Sequence, residues 1–431
     1  MAFACAMIFM LCVFWRPQVW LVPQLMHTGY LDVVVGGMIL ALLIELDEGR
    51  IRRPKRYQVL MILGLFFATL MSHVAHTYFG GLMKTWPSMI KYTTYTMVLL
   101  CVTERVTRVR TVIRIFVFMG LFMTYHCYLQ VTKGYAFANQ GPVWIHGGTE
   151  MRTRFFGIFG DPNDLAQMLV VCMPLVFGVF RRMNFLKLVL CSAAAYVMFW
   201  AMESTGSRGG YMGTAAVVGT GIIFLLPRRW TPFLLFMAIM SALTLMPAAG
   251  LVLDSSARNR VIYWGLANWF FKESPVFGLG YGMFWMVTKE AMAAHNAFVH
   301  CYTEIGYFGY WFWFGLMLLG VVSCWRTRVL IVDVDDPEAR YISRASACCI
   351  TAMIGYAASS YFLSRAFIYP YFFLCILLTA FSNVAEDYID EEDRGEPIIK
   401  PWRDILVLNT VASAFSIMYI YWSIILLNKA L

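Results

Sequence analysis

Long apolar runs constrain this chain more than any other feature. Of its 431 residues, 60% are hydrophobic and only 14% are charged. Several runs approach the roughly 20 residues that a helix needs to cross a hydrocarbon core of about 30 Å. A transmembrane β-barrel would instead show alternating segments of roughly ten residues. The sequence therefore predicts an all-α fold, a polytopic bundle of transmembrane helices.

Hydropathy predicts twelve or thirteen membrane spans. No basic segment precedes the first apolar run, so this run is predicted to be a membrane segment and not a cleavable signal. The spans are predicted near 2–15, 31–46, 57–79, 88–103, 109–131, 163–180, 184–203, 207–226, 232–253, 299–323, 343–363, 366–384 and 404–428.

Basic loops orient these spans, because short loops rich in lysine and arginine stay cytoplasmic. If the spans alternate, one side receives the loops at 49–56, 105–110, 181–187, 227–230, 325–328 and 386–403. This side is predicted to be cytoplasmic, with the N-terminus inside and the C-terminus outside. Two longer segments, 132–162 and 254–298, then lie outside, and connections of that length are often functional.

Six arginines fall on the outer side against this bias: Arg152, Arg154, Arg208, Arg258, Arg260 and Arg365. They favour an anionic partner at the outer membrane surface, because guanidinium binds phosphate and carboxylate oxygens well. Contacts with lipid headgroups and local ion pairs are the alternative. The net charge of +9 is attributed to topology-setting loops, and no nucleic-acid partner is expected. The eleven cysteines form no CxxC pair, which favours buried small residues over metal ligands or disulfides.

The outer segment 254–298 is predicted to contain a helix over 257–272 that lies in the membrane interface. The residues expected to anchor it are Val261, Trp264 and Trp269, and its polar points are Arg258, Arg260, Asn268 and Lys272. A turn-rich stretch with Pro275, Gly278, Gly280 and Gly282 follows. We interpret this G-x-G-x-G spacing as a tight turn that returns the chain to the membrane, since it follows no strand and does not resemble a dinucleotide site.

Two helix starts carry polar residues at the outer face. Asp161 is predicted to cap a helix that has Pro162 at its first position. Asp164 lies in the first turn, where the helix dipole favours it, and the alternative for these two carboxylates is metal binding. Arg208 opens another span among small residues in "STGSRGG", where it could reach lipid headgroups or hold a phosphate.

A histidine and an asparagine, His295 and Asn296, come directly before the predicted span 299–323. With an ordinary pKa near 6.5, imidazole is the side chain best suited to accept a proton at neutral pH. A hydrogen-bonded structural role is the alternative. His300 is predicted to point to a different helix face, and spacing alone does not choose between the two histidines.

Taken together, these motifs from Arg154 to Tyr310 resemble the O-antigen ligase and polymerase superfamily. These are bacterial polytopic glycosyltransferases that act on glycans linked to undecaprenyl pyrophosphate. The ligases' His-Asn pair, nine intervening residues, Gly-x-x-Gly and an aromatic residue match His295-Asn296, Gly306, Gly309 and Tyr310. The family's other three features match Ser207-Arg208-Gly209, the stretch from Arg260 to Gly280, and "FGDPNDLA" at 159–166.

The resemblance implies a GT-C-like membrane glycosyltransferase that transfers a glycan to an acceptor hydroxyl, with inversion. His295, Arg208 and Arg260 would be catalytic: the histidine deprotonates or orients the acceptor, and the two arginines hold the pyrophosphate, so that no metal and no cofactor is needed. Further donor-binding candidates are Arg258 and Arg154. Residues that would support the acceptor or the arginines are Asn296, Asp161 and Asn163.

The resemblance also implies a place and partners. The site would lie on the periplasmic face of the bacterial inner membrane. The donor would be an undecaprenyl-pyrophosphate-linked glycan, and the acceptor lipid A core, a protein or a glycan, with membrane lipids around them. The chain would divide into N-terminal transmembrane helices (1–131), a catalytic region (132–325) and C-terminal transmembrane helices (326–431).

Two alternatives remain at the level of sequence. A polymerase of polysaccharide repeat units belongs to the same superfamily and uses the same type of donor, although the His-Asn pattern favours a ligase. A transporter of lipid-linked sugars would place polar residues at the centres of its spans. This chain concentrates its polar candidates at one face, which argues against transport.

Overall fold

The computed structural model describes residues 1–49, 51, 54–145, 148–226, 255–288, 293–331, 335–363, 365–385, 388–389 and 397–430, apart from the side chains of 26–27, 255–257 and 430. The protein is 79% helical. In chain order, the helices are α1 (Ala2–Phe14), α2 (Pro17–Trp20), α3 (Tyr30–Asp47), α4 (Arg56–Val74), α5 (Phe79–Val102), α6 (Val106–Lys133), α7 (Pro162–Leu175), α8 (Phe185–Glu203), α9 (Arg208–Leu225), α10 (Ser255–Glu273), α11 (Phe284–Val287), α12 (Ala297–Leu330), α13 (Pro337–Ser360), α14 (Tyr369–Val384) and α15 (Asn409–Ala430).

Shorter elements complete the described chain. A π-helical segment, Pro401–Leu408, leads directly into α15. Single 3₁₀ turns are found at Pro23–His27, Phe137–Asn139, Gly157–Phe159 and Val176–Gly178. The predicted outer loop 132–162 contains an antiparallel hairpin that the sequence analysis did not predict, formed by β1 (Val143–Ile145) and β2 (Glu150–Arg152).

Side-chain caps explain where several helices begin. An N-cap side chain that accepts a backbone N–H stabilises a helix by about 1 kcal/mol, because it satisfies a donor without an intrahelical partner. Such caps precede five helices, α7, α8, α9, α12 and α13, and are supplied by Asp161, Asn184, Ser207, Asn296 and Asp336. The predicted cap at Asp161, with Pro162 at the first helical position, is confirmed.

Within the described residues, five helical segments are long and apolar enough to cross a membrane: α4, α6, α8, α12 and the segment from Pro401 to Lys429. Three further helical segments, α1, α7 with its 3₁₀ extension, and α14, are apolar but shorter. The predicted all-α membrane bundle is therefore confirmed. The count of twelve or thirteen spans, the GT-C-like arrangement and the three regions stay predictions.

Helix bounds follow the hydropathy closely. The predicted span 109–131 lies within α6, and α8 matches the predicted span 184–203 to within one residue. The largest difference is at α5, which begins at Phe79 instead of residue 88 and continues through Pro87. The predicted span 232–253 lies outside the described residues.

Charged side chains from segments predicted to share a side do meet at one end of the bundle. Arg110 and Arg181 both pair with Glu338, at 2.8 and 2.7 Å. Arg326 pairs with Asp404 at the same predicted side, at 2.5 Å. These ion pairs fit the predicted alternation of the spans. The opposite end, which carries Asp161, Arg208 and His295, is called the outer end below.

A break in α12 shapes the outer end. At Gly306 the backbone leaves the helical conformation, with φ 65° and ψ −173°. The loop after α10 crosses the chain at this break, and the Leu279 amide donates to the Thr303 carbonyl at 2.8 Å. The amide of Tyr307 donates in turn to the Pro275 carbonyl at 2.8 Å. The loop thus satisfies backbone groups that the broken helix would otherwise leave unpaired within a membrane bundle.

Two glycines make this crossing possible. A Cβ on Gly306 would lie well inside 3.0 Å of the Val276 carbonyl oxygen, and a Cβ on Gly278 would lie 2.5 Å from the Gly306 nitrogen. Both glycines also have positive φ. The predicted tight turn around Gly278 is confirmed, and its partner across the crossing is Gly306.

We predict that Gly306→Ala destabilises the protein strongly. The added methyl group meets backbone that cannot move aside, in a conformation that is almost exclusive to glycine, so the cost is about 3 kcal/mol or more. Gly36→Ala in α3 is the matched control, because a Cβ at Gly36 meets nothing within 4 Å. Thermal unfolding of both purified variants in detergent tests this. Equal midpoints for Gly306→Ala and the wild type would contradict the role of the crossing.

Candidate active site

His295 lies at the outer end, in the short connection between α11 and α12, and is half-buried. Its φ of 50° is unusual for a residue with a side chain. The connection is held on both sides. The Trp264 indole donates to the Ala294 carbonyl at 2.5 Å, and the buried Asn296 side chain caps α12 by accepting from the amides of Phe298 and Val299. Hydrogen bonds on both sides therefore hold the backbone of His295 in place.

Arg260 lies one turn before Trp264 on the same face of α10. Since Trp264 contacts the connection that carries His295, this face directs Arg260 toward the histidine. This helix is anchored by Asn268, whose side chain accepts from the Tyr302 hydroxyl at 2.6 Å and donates to the Tyr421 carbonyl at 3.1 Å. The predicted helix over 257–272 is confirmed. Of its predicted anchors, Val261 and Trp264 are buried, whereas Trp269 is 54% exposed.

The charges around His295 favour its neutral form. Burial lowers the pKa of the imidazole below its ordinary value, and the positive charge of Arg260 lowers it further. Asp161 acts in the opposite direction, while Arg365 adds to the lowering. At neutral pH the imidazole is therefore unprotonated and able to accept a proton. Arg260, Asp161 and Arg365 therefore lie within electrostatic range of His295.

The starts of α7 and α9 are joined by a direct hydrogen bond. The Ser207 hydroxyl donates to Asn163 Oδ1 at 2.8 Å, and the Asn163 amide groups donate to Asp161 Oδ1. This contact places Arg208, the first residue of α9 and exposed, beside the turn that carries Asp161. The predicted supporting residues Asp161 and Asn163 thus connect the neighbourhood of His295 to that of Arg208.

A small residue in α9 behind Arg208 permits close packing against a neighbouring helix. A Cβ on Gly213 would lie 3.0 Å from the Gly355 carbonyl oxygen in α13. The backbone of α9 therefore lies directly against α13. This packing sets the position from which Arg208 extends.

Asp164 is held by an arginine. Its carboxylate, 3% exposed, accepts from Arg365 at 2.9, 3.0 and 2.5 Å. In the part of the chain that the structure describes, no group of three His, Cys, Asp or Glu side chains is placed to hold a metal ion. The site candidates named from the sequence did not include Arg365. The sequence feature that could have pointed to Arg365 was its predicted position among the six outer arginines.

The other predicted donor-binding arginines, Arg154 and Arg258, have different surroundings. Arg154 donates from Nε to the Gly141 carbonyl at 3.1 Å, which ties it to the loop before the hairpin. Arg258 is exposed on α10. Arg152 pairs with Glu150 within the hairpin at 2.8 Å. His295 is therefore linked electrostatically to Arg260, Asp161 and Arg365, and the Ser207–Asn163 hydrogen bond joins the start of α9, where Arg208 lies, to the Asp161 turn.

His300 has a separate environment. Its Nε2 lies 3.3 Å from the buried carboxylate of Glu304. That carboxylate also accepts from the amides of Gly282 and Phe284, at 2.9 and 3.1 Å. His300 is thus part of the anchor that holds the loop after α10, whereas Arg260 and Arg365 act electrostatically on His295.

Comparison with known proteins finds no relative: no protein-family model matches the chain, and no curated protein matches its sequence significantly. A functional assignment therefore depends on the motifs and on the geometry of the outer end.

We predict measurable coupling between Asp164 and Arg365. Free energies of unfolding in mixed micelles would be measured for Asp164→Asn, Arg365→Gln and the double variant. We expect a coupling of roughly 1–2 kcal/mol, because the carboxylate is buried while the arginine side chain is 44% exposed and partly screened. Additivity within about 0.3 kcal/mol would show that the ion pair does not organise this end.

Proposed function

We propose that the protein is a membrane glycosyltransferase of the O-antigen ligase type. It would transfer a glycan from undecaprenyl pyrophosphate to an acceptor hydroxyl at the periplasmic face of the bacterial inner membrane. The observation that carries this proposal is a neutral histidine within electrostatic range of Arg260 and Arg365, next to a turn that is hydrogen-bonded to the start of α9, where Arg208 lies. The order and spacing of the four motifs support the same assignment.

Arginines at this position suit a pyrophosphate ligand. A guanidinium presents its donors in a planar fork that engages two phosphate oxygens, and it stays charged at all relevant pH values. In transfer from a lipid pyrophosphate, negative charge develops on the oxygen that leaves the anomeric carbon. Donors that already point to that position stabilise the transition state without rearrangement. Arg208 and Arg260 are assigned this role, and Arg365 adds a further cation within electrostatic range of His295.

His295 acts on the acceptor hydroxyl. The acceptor hydroxyl attacks the anomeric carbon while the bond from that carbon to the pyrophosphate oxygen breaks, and the electron pair leaves with the pyrophosphate. The hydroxyl proton passes to the neutral imidazole of His295. Attack from the face opposite the leaving group inverts the anomeric configuration. Asn296 keeps the histidine in place through its cap, and Asp161 holds the turn that faces it.

We predict that His295→Asn abolishes most glycan transfer while the protein remains folded. Asparagine tolerates the positive φ at this position, and loss of a general base typically costs about 10²–10⁴-fold in rate. His300→Gln is the matched control, because its amide can still donate to Glu304, and less than tenfold loss is expected. Transfer would be measured with purified proteins at matched concentration. Wild-type rates in His295→Asn would remove the histidine from the mechanism.

We predict that Arg208→Lys and Arg260→Lys are each impaired by about 10²-fold, because an ammonium group cannot engage two oxygens and small misplacements are costly. Arg152→Lys should transfer nearly normally, since Arg152 pairs with Glu150 instead. The measurement is the transfer rate of each variant at matched expression. Severe loss of transfer in Arg258→Lys together with a normal rate in Arg260→Lys would show that Arg258, and not Arg260, contacts the phosphate.

A further inference from the structure

Buried polar atoms without hydrogen-bond partners concentrate just after α1. Within the described residues they include Trp15 Nε1, Arg16 Nε, Gln18 Oε1 and the Tyr30 hydroxyl. Folded proteins pair nearly all such groups, so each exception needs an explanation. Three of these four groups are N–H or O–H donors, which is the type of group that an anion requires.

Arg16 is the charged member of this set, and its placement is specific. It has a positive φ of 53°, a conformation that is strained for a residue with a side chain. Its guanidinium lies against Gly157, where a Cβ would come well inside 3.0 Å of Cζ and Nε. The guanidinium therefore fits only because residue 157 is glycine. A side chain that contacted only lipid headgroups would extend outward instead of lying against the turn at Gly157.

The titratable groups that act on Arg16 are phenols. Its charged or titratable neighbours are Tyr30 and Tyr369, and burial lowers the pKa of the guanidinium below its ordinary value. Among the described residues, no Asp or Glu forms an ion pair with it. The Tyr30 hydroxyl lies beside the Cys12 thiol, which is a weak hydrogen-bonding group. Arg16 Nε therefore lacks an acceptor, and the Tyr30 hydroxyl within its electrostatic range has only the weak acceptor of the Cys12 thiol.

This cluster adjoins the outer end. Gly157 begins the 3₁₀ turn that leads to Asp161, so Arg16 lies at one end of the segment whose other end faces His295. On a second path, the Tyr369 ring packs against Tyr92 with centroids 4.6 Å apart, and Tyr92 lies within electrostatic range of Arg365. Arg16 thus lies on the same side of the bundle as the candidate active site.

We propose that Arg16 and Tyr30, with Tyr369 beside them, form a phosphate-binding subsite for a membrane lipid. The guanidinium would engage two phosphate oxygens, and the phenol would donate to a third. The phosphate belongs either to the pyrophosphate of the isoprenyl-linked donor or to the headgroup of a phospholipid. The first source rests on the function proposed above and makes Arg16 a donor-binding residue, while the second does not depend on it.

The test is lipid binding to the purified full-length protein in detergent. Undecaprenyl pyrophosphate and phosphatidylglycerol are titrated separately, and bound lipid is counted by native mass spectrometry. The variants are Arg16→Gln and Arg16→Lys, and Arg152→Gln is the matched control because Arg152 is paired within the hairpin. We expect Arg16→Gln to weaken binding of one lipid by about tenfold or more, as loss of charge-assisted hydrogen bonds does. The control should match the wild type.

The two lipids separate the outcomes. Weaker binding of undecaprenyl pyrophosphate alone identifies the donor as the ligand, and weaker binding of phosphatidylglycerol alone identifies a phospholipid. Either result supports the subsite, including in a protein that transfers no glycan, so failure of the proposed function is recognised separately. Unchanged binding of both lipids in Arg16→Gln overturns the proposal. If Arg16→Gln does not fold, unchanged binding of both lipids in Arg16→Lys overturns it equally.

Discussion

Two stretches of backbone cross within hydrogen-bonding distance at Gly278 and Gly306, and a side chain on either glycine would occupy space that is already filled. The crossing interrupts α12 and fixes the loop after α10 in the resulting gap. Glu304 accepts a hydrogen bond from the same loop at Gly282 and also contacts His300. Because α10 leads into this loop and carries Arg260 and Trp264, the crossing sets the distance between the arginine helix and the His295 connection.

The second constraint is electrostatic. Cations at the end of a membrane bundle are costly unless they are solvated or paired. At one end the charges are neutralised by protein carboxylates, as Arg110 and Arg181 are by Glu338. At the outer end Arg365 has Asp164, but Arg16 has no carboxylate among the described residues. Positive charge that no described carboxylate pairs, on the same side as a neutral histidine, supports the proposed donor with its negatively charged pyrophosphate.

Much of the fold was predictable, because apolar length and capping residues are local signals. The bounds of α6, α8 and α9 follow directly from hydropathy and from caps such as Ser207. The break at Gly306 was not predictable, since the apolar run continues through it and the reason for the break is a loop thirty residues earlier. The short hairpin at 143–152 gave no recognisable alternation either.

The site was predictable only in part. His295, Arg208 and Arg260 were selected by a family resemblance, because nothing in their separate positions along the chain requires them to meet. The pairing of Asp164 with Arg365 joins residues from distant helices and has no sequence signal. Arg16 looks like an ordinary basic residue at the end of a span until its guanidinium is seen against Gly157.

The most direct test of the central claim is to follow both products of the proposed reaction together. Purified protein would be mixed with an undecaprenyl-pyrophosphate-linked glycan and an acceptor that offers a free hydroxyl. We expect that one undecaprenyl pyrophosphate is released for each glycan that appears on the acceptor, with inverted anomeric configuration. Release without transfer, or transfer with retained configuration, would contradict it.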